Sequence, residues 1–518
     1  MTPPTTARQL ASVIKTARDI MRKDKGLSSD VDRLPMLTWI LFLKFLDDME
    51  RNREVAAALE GKPYRPIIAA PYRWRDWAAD ESGITGDALL DFVNYDEATR
   101  PDGNQGPGLF AYLRNLQATP DDPRPDVVAT IFRETFNRMR NGYLLRDVIN
   151  KVNGINFASS EEMHTLSALY ETMLKEMRDA AGDAGEFYTP RAVVQLMVAV
   201  TDPRLGEMLE DPACGTGGFL VEAFEHLRQQ VQTVEDREML QRYSLRGGEA
   251  KALPYLLAQM NLLLHGLEAP QIAYGNSLAT PLKDIGPRQR VDVILTNPPF
   301  GGEEETGIQD NFPKDKRTSE TALLFLQLIM RKLRRTPRPG RAAVVVPNGT
   351  LFADGVAARI KEQLLTEFSL HTIVRLPNGV FAPYTSIPTN LLFFEVGGPT
   401  RELWVYEQPL PEGRKSYTKT QPVRFSEFEP LIAWWGAREE NERAWKVNIE
   451  TVLKYDAEGN LLSANLDVKN PHGGEDIEHR APETLVAEIV AQERQILALM
   501  EEIAVELGEK KEHDDSQR

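Results

Sequence analysis

Between about Met163 and Phe394 the chain alternates short aliphatic and β-branched runs with longer segments of helical periodicity, and this alternation limits the fold more than any other feature. The strand-like runs are Glu207–Glu210, Ser244–Gly247, Gln271–Tyr274, Val291–Leu295, Arg341–Val346, Thr372–Leu376 and Asn390–Phe394. Helical spacing fills intervals between them at Gly218–Leu227, Lys251–Gly266, Thr318–Leu333 and Val356–Glu367. Strands that return through a helix emerge parallel to one another, so residues 159–400 are expected to form an α/β doubly wound, Rossmann-like sheet. Ligands of such sheets bind beyond the carboxyl ends of the strands. The loops after each run are therefore the places to look for chemistry.

The flanks read differently. Residues 1–158 are expected to be a helical N-terminal domain, built around the dense apolar stretch from Met36 to Leu46 with Pro35 at the start of its helix. Residues 401–475, with Trp404, Trp434, Trp435 and Trp445, read as an irregular extension. Residues 476–518 hold a helix over Pro482–Leu507, in which Ile489, Ile496 and Ile503 recur every seven residues beside Leu485, Gln492 and Leu499. That is a short coiled-coil seam, fit for a partner helix or for packing within the chain.

The 518 residues correspond to two to four structural units at roughly 100–200 residues each. The lone cysteine, Cys214, excludes an internal disulfide framework and a cysteine-based zinc site, and no metal site is expected. No signal peptide pattern opens the chain, and no run of about 18 apolar residues interrupts it. A cytoplasmic setting with no membrane contact is the expectation. The net charge of −16 is unsuited to a chain that grips nucleic acid alone, because phosphate contacts need Lys and Arg. A second chain would have to supply most of them.

Three successive strand ends carry candidate ligand groups. The first is Asp211-Pro212-Ala213-Cys214-Gly215-Thr216-Gly217-Gly218-Phe219, where Gly215, Gly217 and Gly218 permit a tight turn and a close ligand. The second ends at Glu249, whose carboxylate can accept from both hydroxyls of a ribose. The third ends at Asn276, within reach of an adenine edge. A dinucleotide dehydrogenase would need a glycine at the position of Leu220 and an earlier acid, so that reading is disfavoured. Upstream lies Gly185-Glu186-Phe187-Tyr188-Thr189-Pro190-Arg191, with Thr189 as an expected N-cap and Pro190 as the first helical residue. Phe187 or Tyr188 would pack on the ligand and Thr189 would touch its carboxylate.

Asn297-Pro298-Pro299-Phe300 follows the fourth run. Such a tetrapeptide arises by chance in a chain this long on the order of once in a few hundred. Its residue types suit an exocyclic amino nitrogen, which is a poor nucleophile because its lone pair is delocalised. The Asn297 side-chain oxygen and the Pro298 carbonyl can accept hydrogen bonds from both amino N–H groups, with proline's fixed φ aiming the second. Phe300 can stack on the base. Transfer of a methyl group from S-adenosyl-L-methionine to adenine N6 needs no covalent enzyme intermediate, only positioning and electrostatics. A cytosine-C5 enzyme would need a nucleophilic cysteine, and Cys214 lies in the glycine loop instead.

The order of these motifs resembles the amino-group DNA methyltransferases. Together with the helical N-terminus and Leu376-Pro377-Asn378-Gly379-Val380-Phe381, it resembles the modification subunit of a type I restriction–modification system over most of the chain. The resemblance implies an adenine-N6-specific enzyme with DNA, a sequence-specificity subunit, a restriction subunit and a second copy of the chain as partners. That family usually carries an acid where Asn276 stands. Asparagine can accept from an adenine amino group, but its amide can also face the other way. Two readings compete: the same fold acting on RNA or a protein glutamine, and a non-catalytic assembly subunit. The mixed-charge segment Gly301–Lys316 is expected to close over the flipped base.

Overall fold

The apolar stretch that starts at Met36 lies on a 30-residue helix, Asp30–Leu59, which begins earlier than the sequence suggests. The Ser29 backbone N–H donates to Asp32 Oδ2 at 3.2 Å, and this polar start sets the helix going before Pro35. Pro35 therefore sits inside the helix rather than at its first position, at the cost of one backbone hydrogen bond. Met36, Trp39, Ile40 and Phe42 are fully buried along it. Trp39 meets Phe110 edge to face at 5.1 Å, and Phe42 meets Phe132 at 6.1 Å. Those partners come from the helices Leu109–Arg114 and Arg124–Arg133, so aromatic packing closes the helical region, which also carries the small hairpin of β1 (Glu97–Thr99) and β2 (Gln105–Pro107).

The computed structural model describes residues 7–119, 122–155, 189–382, 385 and 387–472, with Glu493 and Met500. The expected boundary at 158/159, residues Glu186, Phe187 and Tyr188, and the rest of the Pro482–Leu507 helix lie outside the described residues. The chain divides into two units, Met1–Val468 and Lys469–Arg518, and all the elements named here belong to the first. Among the described residues no helix is long and apolar enough to cross a membrane.

A nine-stranded sheet organises the rest. Its strands are β3 (Leu209–Asp211), β4 (Leu245–Glu249), β5 (Ile272–Tyr274), β6 (Val293–Thr296), β7 (Arg341–Pro347), β8 (Ser369–Arg375), β9 (Thr389–Glu395), β10 (Glu402–Glu407) and β11 (Ala444–Asn448). The spatial order is β11-β10-β8-β9-β7-β6-β3-β4-β5. Strands β5, β4, β3, β6 and β7 are mutually parallel, β9 runs antiparallel between β7 and β8, and β11 is an antiparallel edge. This is the doubly wound sheet read from the sequence, with the antiparallel strands added. The order reverses between β3 and β6, which opens a crevice at their carboxyl ends.

Burial on both faces explains why the inner strands read as continuous apolar runs. Val293, Leu295, Ala343 and Val345 join one core, and Ile294, Ala342, Val344 and Val346 join the other. The first core continues through the helices Arg191–Thr201, Gly218–Arg228 and Ala252–Leu264 into the helical region. The second is covered by Thr321–Lys332 and Val356–Glu367.

Residues 401–475, read as irregular, instead supply β10 and β11 to the same sheet, the helix Glu429–Gly436 and a hairpin of β12 (Leu453–Tyr455) and β13 (Leu461–Ala464). The tryptophans have a packing task. Trp404 meets Trp434 at 5.5 Å and Trp435 meets Phe393 of β9 at 4.7 Å, while Trp445 is buried in the second core.

Candidate active site

The crevice at the strand ends is a cavity of about 360 Å³. Every described residue of the glycine loop that the sequence singles out except Gly217 lines it, together with Glu249, Asn276, Asn297, Pro299, Thr189 and Arg191. Loops more than a hundred residues apart in sequence thus meet because their strands are neighbours.

At the end of β3, Gly215 and Gly217 have φ of 53° and 80°, a left-handed geometry that favours glycine over residues with a Cβ. Gly218 then opens the helix Gly218–Arg228. Asp211 is 1% exposed. Its Oδ1 accepts from Thr296 Oγ1 at 2.7 Å and from the Ala213 N–H at 3.1 Å. Burial pushes its carboxyl up to about 7 against the pull of those two bonds, with Glu249 and Glu210 adding repulsion. Cys214 is buried, and burial first, then the nearby carboxylates, raise its thiol well above the ordinary range. It is a packed thiol, not a nucleophile.

At the end of β4, Glu249 Oε2 accepts from the Gly215 N–H at 2.9 Å and Oε1 from the Lys251 N–H at 2.7 Å. Each oxygen keeps a second lone pair for a ligand hydroxyl. Burial raises this carboxyl too, with the backbone bonds opposing it. The neighbouring Gly248 has no room for a side chain, since a Cβ there would lie 2.4 Å from Ser277 Oγ.

At the end of β5, Asn276 caps the turn Ser277–Ala279, its Oδ1 accepting from the Leu278 N–H at 2.9 Å. Its Nδ2 donates to Glu304 Oε2 at 3.1 Å. The segment Gly301–Lys316 is folded against the site, with a short helix Thr306–Gln309 and the Glu304 N–H donating to the Ser319 carbonyl at 2.8 Å. Sequence reasoning missed Glu304 as a site residue and placed it only within the mixed-charge segment Gly301–Lys316.

At the end of β6, Asn297 Nδ2 donates to Thr189 Oγ1 at 2.9 Å. That bond fixes the amide so that Asn297 Oδ1 is buried with no partner among the described residues. A buried acceptor without a donor costs free energy unless a ligand supplies one. Pro298 is buried behind it and Phe300 is half-buried, its ring 6.1 Å from Phe381 at 64°. The segment Leu376–Phe381 thus reaches the site through that aromatic contact. Thr189 precedes the cap rather than forming it. The helix is Arg191–Thr201 with Pro190 as its N-cap, one residue later than expected, which leaves the Thr189 hydroxyl to Asn297. Arg191 pairs with Glu222 at 3.5 Å on the cavity wall.

This sheet order, with a crevice at its switch point lined by the Asn297 loop, fits an amino-group methyltransferase. The chain belongs to the N-6 DNA methylase family, whose model matches residues 161–479. An HsdM N-terminal domain model matches residues 10–152. The chain is 50% identical over 509 residues to the type I restriction enzyme EcoEI methylase subunit of Escherichia coli, covering 96% of this chain and 98% of that one. A crystal structure of a type I modification subunit from Vibrio vulnificus YJ016 superposes with a TM-score of 0.87 at 65% identity, covering 92% of this chain and all of that one. A second structure, from work on complex assembly in a type I restriction–modification system, gives 0.74 at 39% identity over 97% of this chain and 98% of that one.

Proposed function

We propose that the chain transfers a methyl group from S-adenosyl-L-methionine to the N6 amino group of adenine in DNA, as the modification subunit of a type I restriction–modification complex. The observation that carries this is Asn297, whose Nδ2 is held by Thr189 while its Oδ1 is buried and has no partner among the described residues. An acceptor kept free in a cavity wall matches a substrate that brings an N–H.

The cavity fits the cofactor. Glu249 would accept from the ribose hydroxyls, and the turn through Gly215, Thr216, Gly217 and Gly218 lets the ligand lie against the backbone. Asp211, Thr189, Pro190 and Arg191 would flank its amino-acid part, with Glu186, Phe187 and Tyr188 assigned to the same end by sequence. Asn276 marks the adenine end. When bound, the cofactor supplies an electrophilic methyl group.

The chain's own residues do the rest. Asn297 Oδ1 accepts a hydrogen bond from one N–H of the target adenine's amino group and the Pro298 carbonyl from the other, which localises the lone pair on N6. Pro299 stiffens the turn and Phe300 stacks on the base. A base in a duplex must leave the stack to reach this depth. The charge of −16 supports delegation of sequence reading to a specificity subunit, with a restriction subunit and a second copy of the chain completing the complex. The relative's own name, a methylase subunit of a restriction enzyme, supports the same assignment. On this reading residues 1–158 are a helical domain, 159–400 carry methyl transfer, 401–475 extend its sheet and 476–518 bind a partner in the cytoplasm.

The test is an Asn297→Ala variant, assembled with its specificity subunit and assayed with labelled cofactor against DNA, RNA and protein acceptors. The expected outcome is retained cofactor binding, with methyl transfer by the unaltered chain to adenine in DNA and none by the variant. Full activity in the variant, or transfer to RNA or protein alone, overturns the proposal.

A further inference from the structure

The acidic run after the catalytic tetrapeptide has one member that the site grips from several sides. Glu304 Oε2 accepts from Asn276 Nδ2 at 3.1 Å. Its backbone N–H is held by Ser319, and its carbonyl accepts from Gln309 Nε2 at 2.7 Å. The side chain is half-buried and lines the cavity. Asn276, by contrast, has both ends of its amide engaged, Oδ1 on the Leu278 N–H and Nδ2 on Glu304. It presents a donor, not an acceptor, toward the loop.

Glu249 at the end of β4 and the Asn276–Glu304 pair beyond β5 line the same cavity. A nucleoside whose ribose hydroxyls bond Glu249 would meet that pair if its base runs along the row of strand ends toward β5. An exocyclic amino group is a donor and needs an acceptor. Glu304 keeps free lone pairs on a carboxylate, and charged acceptors make the stronger bonds. Resting on the cofactor reading above, we infer that Glu304, and not Asn276, supplies the acceptor for the 6-amino group of the cofactor's adenine. Asn276 is the positioning residue that brackets it. The carboxylate comes from the segment that continues the catalytic strand end, so one short stretch of chain touches both the cofactor base and, through Asn297, the target base.

The experiment measures calorimetric affinities of the full-length chain for S-adenosylhomocysteine and for S-inosylhomocysteine, its 6-oxo counterpart. A carboxylate facing the base favours the amino group and repels the oxo group, so the unaltered chain binds the adenosyl form more tightly. Glu304→Gln can turn its amide to suit either base, and the preference is expected to fall about tenfold. The double variant Glu304→Gln with Asn276→Asp exchanges carboxylate and amide across the same hydrogen bond and is expected to regain most of the preference. Amide hydrogen exchange of residues 301–309 is expected to slow on adding S-adenosylhomocysteine to the unaltered chain and not to Glu304→Ala. An undiminished preference in Glu304→Gln overturns this assignment while leaving the cofactor site intact. Failure of the unaltered chain to bind either ligand overturns the cofactor reading itself and this inference with it.

Discussion

Two buried carboxylates, one in each half of the molecule, are treated in opposite ways. Glu50, on the long N-terminal helix, is 3% exposed and fully served. The Tyr64 hydroxyl donates to it at 2.5 Å, the Ile67 N–H at 2.6 Å, and the guanidinium groups of Arg124 and Arg53 lie at 3.5 and 3.9 Å. Asp211, at the catalytic crevice, is as deeply buried, but among the described residues it has only a hydroxyl and one N–H. Its other charged neighbours are carboxylates. Burial raises both acids, yet only Glu50 has cations against that cost. The helical domain uses burial to hold a shape. At the crevice, among the described residues, no cation pairs with Asp211 and no donor reaches Asn297 Oδ1, as a site awaiting a ligand requires.

Four substitutions can break or sharpen that comparison. The largest effect is expected from Asn297→Ala, which removes the unpartnered acceptor. Methyl transfer should fall by about a thousandfold or more, with cofactor affinity by calorimetry within a few-fold of the unaltered chain. A mere few-fold loss of turnover would mean the free oxygen is incidental.

Next comes Glu50→Ala, which strips the Tyr64 hydroxyl and the Ile67 N–H of their buried acceptor and leaves Arg124 to Asp122. Urea unfolding should show a loss of about 3 kcal/mol, with turnover per folded molecule unchanged. Lost turnover without lost stability would erase the division between the two regions.

Asp211→Asn is expected to act in the opposite direction on stability. The folded-state value of about 7 lies above the unfolded value of about 3.9, so the acid's contribution is fully present below pH 4 and is lost as pH rises through 7. The amide keeps both hydrogen bonds without the charge. Thermal unfolding should therefore show the ligand-free variant more stable by about 2 kcal/mol above pH 7, the gap closing by pH 4, while cofactor binding weakens. A variant less stable at pH 8 would make Asp211 a structural acid like Glu50.

The smallest effect is expected from Thr189→Val, which frees the Asn297 amide to flip. Turnover should fall about five- to tenfold with cofactor affinity little changed, and Thr189→Ser should restore it. Equal loss in both variants would assign Thr189 to packing alone.

Much of the fold was legible because its signals are local. Val293–Thr296 and Val344–Val346 read as strands since both faces are buried. The glycines at 215 and 217 read as a turn since their φ values are positive. β10 and β11 were missed. Leu403 and Val405 on one strand and Trp445 and Val447 on the other do alternate, but each run is short and its partner lies some forty residues away across a helix. Pro35 misled because a proline suits a helix start, while the capping contact at Ser29 decided otherwise.

The amino-acid sequence alone determined the sheet class, the glycine turn after β3, the acid that ends β4 and the Asn297–Phe300 motif, because backbone periodicity and turn chemistry act over a few residues. Only the tertiary structure decided that Thr189 holds the Asn297 amide nitrogen, that Glu304 rather than solvent meets Asn276, and that burial raises the Asp211 carboxyl. These depend on contacts spanning 108, 28 and 85 residues of chain. Hydrogen-bond direction and desolvation are properties of assembled neighbours, and no single stretch of sequence contains them.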